Sequence, residues 1–402
     1  MNSEDCTIRI DDETEYGPVR QPSDLEDHAR TLQWSFRYPI EDSRLILERM
    51  GQEKIRLLRL RDRVVGGLSL YSVGQWFGGR RVPMAGVGVV GIAPEARGHG
   101  VATRMMDACV LDARASGHPI SVLYPAKQSL YRRSGWELGG SLWNHAVPIA
   151  ALPGGDRDLE VRECRPEDES AVRALHATIA RHRPGEVDRD DWFWERVMRN
   201  PRFHVRGFVV EASDGVEGYV FLHETETEEV FGYDLACTDL VAVNARAARR
   251  LFRFVADHGS LGRQLRWNGS PWDPMLGLVG EQRWKTTQQF QWMLRIVDVA
   301  GALEARGYPP DVDVEVQLDI EDELVGENRG RFTLGVRDGR GVVSVGGAGR
   351  AVLHVRALAS LYTGWLRPRD AVAYGWLRAD DTTVDALERV FAGPTAWMSD
   401  MF

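Results

Sequence analysis

The run Val87-Gly-Val-Val-Gly-Ile-Ala-Pro-Glu-Ala-Arg-Gly-His-Gly-Val-Ala102 limits this chain more than any other stretch. An apolar strand reads through to Ile92, and Pro94 ends it. The loop Arg97-Gly98-His99-Gly100 then opens directly into a helical run that reaches Ser116. The first N–H groups of such a helix have no partner within it and carry partial positive charge. Glycine removes the Cβ that would keep a phosphate off the main chain. The arrangement is suited to a pyrophosphate, although an ordinary glycine-rich turn would read the same way. A Walker loop needs Gly-Lys-Ser/Thr at its end, and Gly100-Val101-Ala102 is not that. The dinucleotide pattern G-x-G-x-x-G/A fails at Thr103. The pattern R-x-x-G-x-A is met by Arg97, Gly100 and Ala102.

At 402 residues the chain exceeds one ordinary core, and two or three domains are expected. A net charge of −9 argues against the basic footprint of a nucleic-acid binder. It suits cationic partners, and equally plain solubility. No apolar run is long enough to span a bilayer. The start, Met1 to Cys6, is acidic and unlike a secretory signal. Cys6, Cys109, Cys164 and Cys237 form no C-x-x-C pair, so neither a zinc site nor a redox pair is expected. Scattered thiols suit a reducing cytoplasm.

Along the chain, Val19–Met50 reads as helix, with Ser23 and Glu26 as a capping box. Strands are expected at 55–60, 64–73 and 82–92, then the loop, a helix from Val101, a strand at 120–124, a short helix at 129–134 and a strand at 136–147. That order is an α/β domain over 1–150. After the linker composition of 151–158, the scheme recurs over 151–290. There the equivalent loop is Asn244-Ala-Arg-Ala-Ala-Arg249, without glycine, so the second copy has a core and no phosphate cradle. Residues 291–402 mix short strands and helices, a small α+β domain.

Two further features point to chemistry. Leu130-Tyr131-Arg-Arg-Ser-Gly-Trp136 follows the 120–124 strand, and in a doubly wound sheet such a helix lies at the ligand-binding end. The Tyr131 phenol is then a candidate donor to a departing thiolate, although a packed aromatic has the same spacing. The last residues, Ala396-Trp-Met-Ser-Asp-Met-Phe402, are apolar for a chain end. A docked end would fix the Phe402 carboxylate; a tail that merely packs is the alternative.

The Arg97–Ala102 loop, Tyr131–Trp136, Ala302-Leu-Glu-Ala-Arg-Gly-Tyr308, Ser360-Leu-Tyr-Thr-Gly364 and the terminal Phe together resemble the Eis acetyltransferases. The likeness covers essentially the whole chain. It implies tandem GNAT folds, the second degenerate, and a C-terminal sterol-carrier-like α+β domain. It implies acetyl transfer from acetyl-CoA to primary amines of small cationic acceptors, aminoglycosides among them, with no metal, and a homohexamer. Tyr131 falls at the family's general acid and Phe402 at its general base, as the C-terminal carboxylate. Val90, Gly91 and Ile92 would meet the pantetheine arm. Arg97, Gly98, His99, Gly100, Val101, Ala102 and Thr103 would hold the pyrophosphate, with Ala126 and Lys127 nearby. Trp34, Phe36, Trp76 and Phe77 are expected to line the acceptor wall, although each also suits a core. Glu95, Glu137, Asp27 and Glu41 compete for the base role. Protein lysine acetylation and lipid binding in the third domain are the other activities the sequence allows.

Overall fold

The computed structural model describes residues 7–155, 157–227 and 231–402; Met1–Cys6 and Asp156 of the expected linker lie outside them. The chain forms two compact units. The first holds the stretch up to Gly140, Trp292–Thr395 and Phe402; the second holds Ser141–Gln291 and Ala396–Met401.

In the first unit, strands Thr14–Gly17, Ile55–Leu60, Arg63–Phe77 and Arg80–Ile92 pair antiparallel in sequence order. Arg80–Ile92 then pairs in parallel with Ile120–Leu123, which is bordered by Met293–Ile296. The tight turns have their cause in the backbone: Arg61 and Asp62, and Gly78 and Gly79, all have positive φ, the geometry that matches hairpin twist. Helix Val101–Ala115 buries Val101, Met105, Met106, Cys109, Val110 and Ala113 on the sheet. Its buried Asp112 accepts from Arg56 (2.9 Å) and Tyr16 (3.2 Å), so the one charge on that face is paired.

The expected 19–50 helix is two, Pro22–Phe36 and Ile40–Met50. Arg37 turns left-handed, and Pro39 both lacks an N–H and restricts Tyr38, so the helix cannot continue. The cap also differs from Ser23/Glu26: Asp24 accepts from the backbone N–H of Arg20 (2.9 Å) and Gln21 (3.4 Å), and Arg59 neutralises it at 2.6 Å.

The C-terminal part of the first unit is a five-stranded sheet in the order Arg340–Val345, Gly330–Arg337, Val314–Glu321, Ala351–His354, Leu377–Arg378. Helices Val299–Ala305, Val355–Tyr362, Pro368–Ala373 and Asp381–Val390 accompany it. It is fixed to the first sheet by main chain and rings. Gly307 N–H donates to Phe77 O at 3.0 Å, and a Cβ on Gly307 or Gly78 would collide with the other's backbone. Phe77 packs edge-on against Tyr362, with ring centres 5.1 Å apart.

The second unit repeats the first sheet's plan. Glu160–Glu163, Arg206–Ala212, Gly215–Glu226 and Tyr233–Ala242 run antiparallel, and Tyr233–Ala242 pairs in parallel with Gly262–Gly269. Helix Ala245–Ala256 buries Ala247, Leu251, Phe252 and Val255. Helix Asp191–Met198, absent from the sequence reading, is capped by Asp190, whose side chain accepts from Phe193 N–H at 3.0 Å.

Candidate active site

The site of the first unit begins where two parallel strands part. Met84–Val87 pair with Ile120–Leu123, and the ladder stops at Val87. Immediately beyond, the pairing of Arg80–Ile92 with Arg63–Phe77 shifts register between Gly88 and Gly91. Val89 takes φ +53°, a conformation a β-branched residue adopts only under constraint. Val90, Gly91 and Ile92 lie beyond the ladder to Ile120–Leu123, while Gly91 and Ile92 still pair with Gly67 and Gly66 on the other side. Backbone groups that face the departed strand require other partners. Gly91 gives helix Pro22–Phe36 its close approach: a Cβ there would sit 3.1 Å from Ser35 Oγ.

Past the strand, Arg97 folds back rather than outward. Its Nε donates to Ile92 O at 3.0 Å and its Nη2 to Ser35 Oγ at 3.4 Å. Gly98 and Gly100 have φ of +84° and +73°, and a Cβ on either would meet nothing within 4 Å. Helix Val101–Ala115 starts with Gly100 as a cap that offers no side chain. The open space and the uncapped N–H groups fit a pyrophosphate on Gly98 to Thr103. His99 is exposed there, Val101 is buried in the core, and Ala102 and Thr103 are half-buried. Ala126 and Lys127 are exposed in the next loop.

The last residue of the chain lies at the same parting of the strands. A Cβ on Gly86 would be 2.9 Å from the Phe402 ring, and one on Gly88 would be 2.9 Å from the Phe402 carboxyl carbon. Tyr71 and Tyr124 clasp the ring edge-on, at 5.7 and 5.9 Å between centres. The alternation Gly86-Val-Gly88 puts both glycines on one strand face, which is the sequence signal that a group approaches there. Neither those glycines nor the two tyrosines entered the sequence-based residue set.

Tyr131 lies in helix Gln128–Arg132, just past the carboxyl end of Ile120–Leu123. It is buried against Trp136, and burial pushes its phenol up to about 12. It therefore keeps its proton throughout the neutral range. Glu137 is corrected as a base: it is buried, and although burial alone would raise its pKa, hydrogen bonds from Arg132 and Arg356 hold it below the usual range. Arg132 reaches it at 2.7 Å, and Arg356 Nε at 3.0 Å. Asp27 bonds Arg30 along its own helix, and Glu95 and Glu41 are exposed. Phe77 is also corrected: it is core against Tyr362 and lines no open wall. Trp34 and Phe36 are exposed at 67% and 40%, and Trp76 is half-buried.

Family models place these features. An Acetyltransferase (GNAT) domain matches residues 19–139, a second matches 185–296, and a Sterol carrier protein domain matches 299–399. An uncharacterized N-acetyltransferase of Streptomyces avermitilis is 30% identical over 305 residues, 71% of this chain and 73% of its own length. The N-acetyltransferase Eis of Mycobacterium tuberculosis is 28% identical over 320 residues, 75% of this chain and 76% of its own. The chain belongs to the Eis family of GCN5-related N-acetyltransferases. It is a transferase with two GNAT folds and a sterol-carrier-like domain. A crystal structure of a GCN5-related N-acetyltransferase from Anabaena variabilis superposes with a TM-score of 0.92 at 33% identity, covering 97% of this chain and 100% of that one. Among the described residues, no cluster of three His, Cys, Asp or Glu could hold a metal, and no helix is long and apolar enough to cross a membrane.

Proposed function

We propose that this Eis-family transferase moves an acetyl group from acetyl-CoA to a primary amine of an aminoglycoside- or polyamine-like acceptor. Tyr131 serves as general acid and the Phe402 carboxylate as general base. The observation that carries this reading is the Phe402 carboxyl carbon beside Gly88, where the parallel strands part.

Acetyl-CoA supplies an activated thioester. The acceptor ammonium has a reference pKa of about 10 and must shed a proton before it attacks. A carboxylate several units more acidic cannot strip that proton outright. It orients the ammonium and accepts the proton as the new bond forms. Main-chain N–H groups of the Val90–Ile92 strand serve as donors to the acyl oxygen as it gains charge, and such preorganised donors stabilise it without reorganising. The Tyr131 phenol, protonated up to about 12, donates to the departing sulfur. No covalent enzyme intermediate is needed, so positioning supplies much of the rate. A net charge of −9 favours polycationic acceptors in the encounter.

The experiment follows thiol release from acetyl-CoA across a panel of polyamines, aminoglycosides and a lysine peptide. Deleting Phe402 is expected to lower kcat on the order of 10²-fold or more, and Tyr131→Phe about 10²-fold, the range for losing a positioned acid or base. Wild-type turnover in the Phe402 deletion rejects the base, and turnover with the peptide alone rejects the small-amine acceptor. Lipid carriage by the third domain is less favoured. The apolar residues on which a tunnel would depend, Val316, Leu318, Ile320, Phe332, Leu334 and Leu358, are packed as core.

A further inference from the structure

The second unit contains a segment with no assigned task. Residues 396–401 belong to it, and they are held at almost every position. Trp397 N–H donates to Pro184 O at 3.0 Å, and its ring lies 5.5 Å from the Arg183 guanidinium. Met398 N–H donates to Ser141 O at 3.2 Å, and the Met398 side chain is fully buried. Arg189, whose side chain is fully buried, divides its donors between tail and fold. Its Nε bonds Asp400 at 2.9 Å and its Nη2 bonds Ser399 Oγ at 3.1 Å, while its remaining nitrogen pairs with Asp239. Ser399 Oγ also donates to Glu186 at 3.1 Å, and Asn268 Nδ2 donates to Ser399 O at 3.1 Å. Arg196 holds Met401 O at 2.6 Å.

The location of these bonds is informative. In the second fold the parallel ladder runs from Tyr233 opposite Gly262 to Ala236 opposite Arg266 and then stops. Asp239 and Asn268 lie beyond that point, one on each strand. Both are tied to the tail, Asn268 directly and Asp239 through Arg189. The parting of the strands, which in the first fold receives Phe402, is here filled by Ser399, Asp400 and the side chains that hold them.

We infer that the degenerate GNAT fold is a peptide-binding module whose ligand is the chain's own Ala396–Met401, with Arg189 as the positioning residue for Phe402. The catalytic half of this inference rests on the reading of Phe402 as base. The link is covalent: two residues follow Asp400, so a fixed Asp400 keeps the Phe402 Cα within about 7 Å of its own. A buried arginine is costly to leave without its carboxylates, so the bonds that hold the tail also keep Arg189 in place.

The test uses the full chain and alters the tail rather than the Arg189–Asp239 pair. Release of the last three residues by carboxypeptidase is timed for the wild type, for Ser399→Ala/Asp400→Ala and for Asp400→Asn. Kinetics and thermal unfolding are measured on the same samples. The double variant is expected to release its end about tenfold faster or more, the loss of a charge-assisted bond. Its kcat should fall by a similar factor, with KM for acetyl-CoA within about twofold, as when only transition-state positioning is lost. Asp400→Asn, whose amide oxygen still accepts from Arg189, should fall between the two. An unchanged release rate overturns the module, and faster release with wild-type kcat overturns the positioning role. If deletion of Phe402 leaves kcat intact, the base reading fails while the digestion still decides whether the tail is bound.

Discussion

The two GNAT folds share a plan and differ where a ligand would sit. In the first, the helix after the central strand begins at Gly100, with no side chain to cap it and open space above Gly98 and Gly100. In the second, Asn244 caps the equivalent helix with its own side chain, which accepts from Ala247 N–H at 2.8 Å. The first fold opens its strands with a strained Val89 and lines the opening with Gly86 and Gly88. The second places Asp239 there, bonded by the Tyr219 hydroxyl at 2.8 Å and paired with Arg189. The loops differ by more than their glycines: in the second fold the polar groups at the helix start and the strand end have partners within the protein.

The largest test of this contrast is Gly100→Val. A β-branched residue at φ +73° is strained, and its bulk enters the space proposed for the pyrophosphate. KM for acetyl-CoA is expected to rise on the order of tenfold or more, the cost of losing one or two charge-assisted phosphate bonds. An unchanged KM would mean that the open loop is idle.

Next in size is Glu186→Gln. Burial, then Asp400, raises the Glu186 carboxyl to about 7, with Arg183 and Arg189 opposing and Asp239 adding to the rise. Its folded pKa stands above its unfolded value, so the folded state binds the extra proton between the two. Stability is therefore greatest below the unfolded pKa of about 4.3 and declines until the group ionises near 7. The amide variant should match the wild type at pH 4 and melt several degrees higher at pH 8. Equal melting at both pH values would show that Glu186 does not titrate in that window.

The smallest effect is Asn244→Ala. Loss of a side-chain cap costs about 1 kcal/mol, read as a lowered melting temperature, with KM for acetyl-CoA unaltered. A changed KM would reveal a ligand role for the second helix start.

The difference between the folds was partly legible in the sequence. Asn244-Ala-Arg-Ala-Ala-Arg249 lacks glycine, and that alone separates the second loop from the first. Turn residues and period-2 runs located the hairpins, because those signals are local. The break at Arg37–Pro39 was written in Pro39, but the apolar period across Leu25–Phe36 hid it. The partners of the tail could not be read, because Arg189, Asp239 and Asn268 are far from residues 399–400 in sequence, and burial alone makes their charges and amides specific. Glu137 looked like a free carboxylate for the same reason: nothing near it announces Arg356. Phe77 follows an apolar strand and precedes two glycines, a pattern that an exposed wall and a covered turn share.

The back-to-back meeting of Gly78 and Gly307 has a consequence for how this chain can be cut. Two backbones in direct contact leave no tolerance for a wedge, and the surface beneath them is finished only when both sides are present. A shortened protein ending ahead of residue 299 would leave Phe77 wet and Glu137 with one arginine instead of two. The sterol-carrier-like part is thus a wall of the catalytic half rather than a detachable passenger, and its removal should be paid for in solubility before any effect on rate can be read.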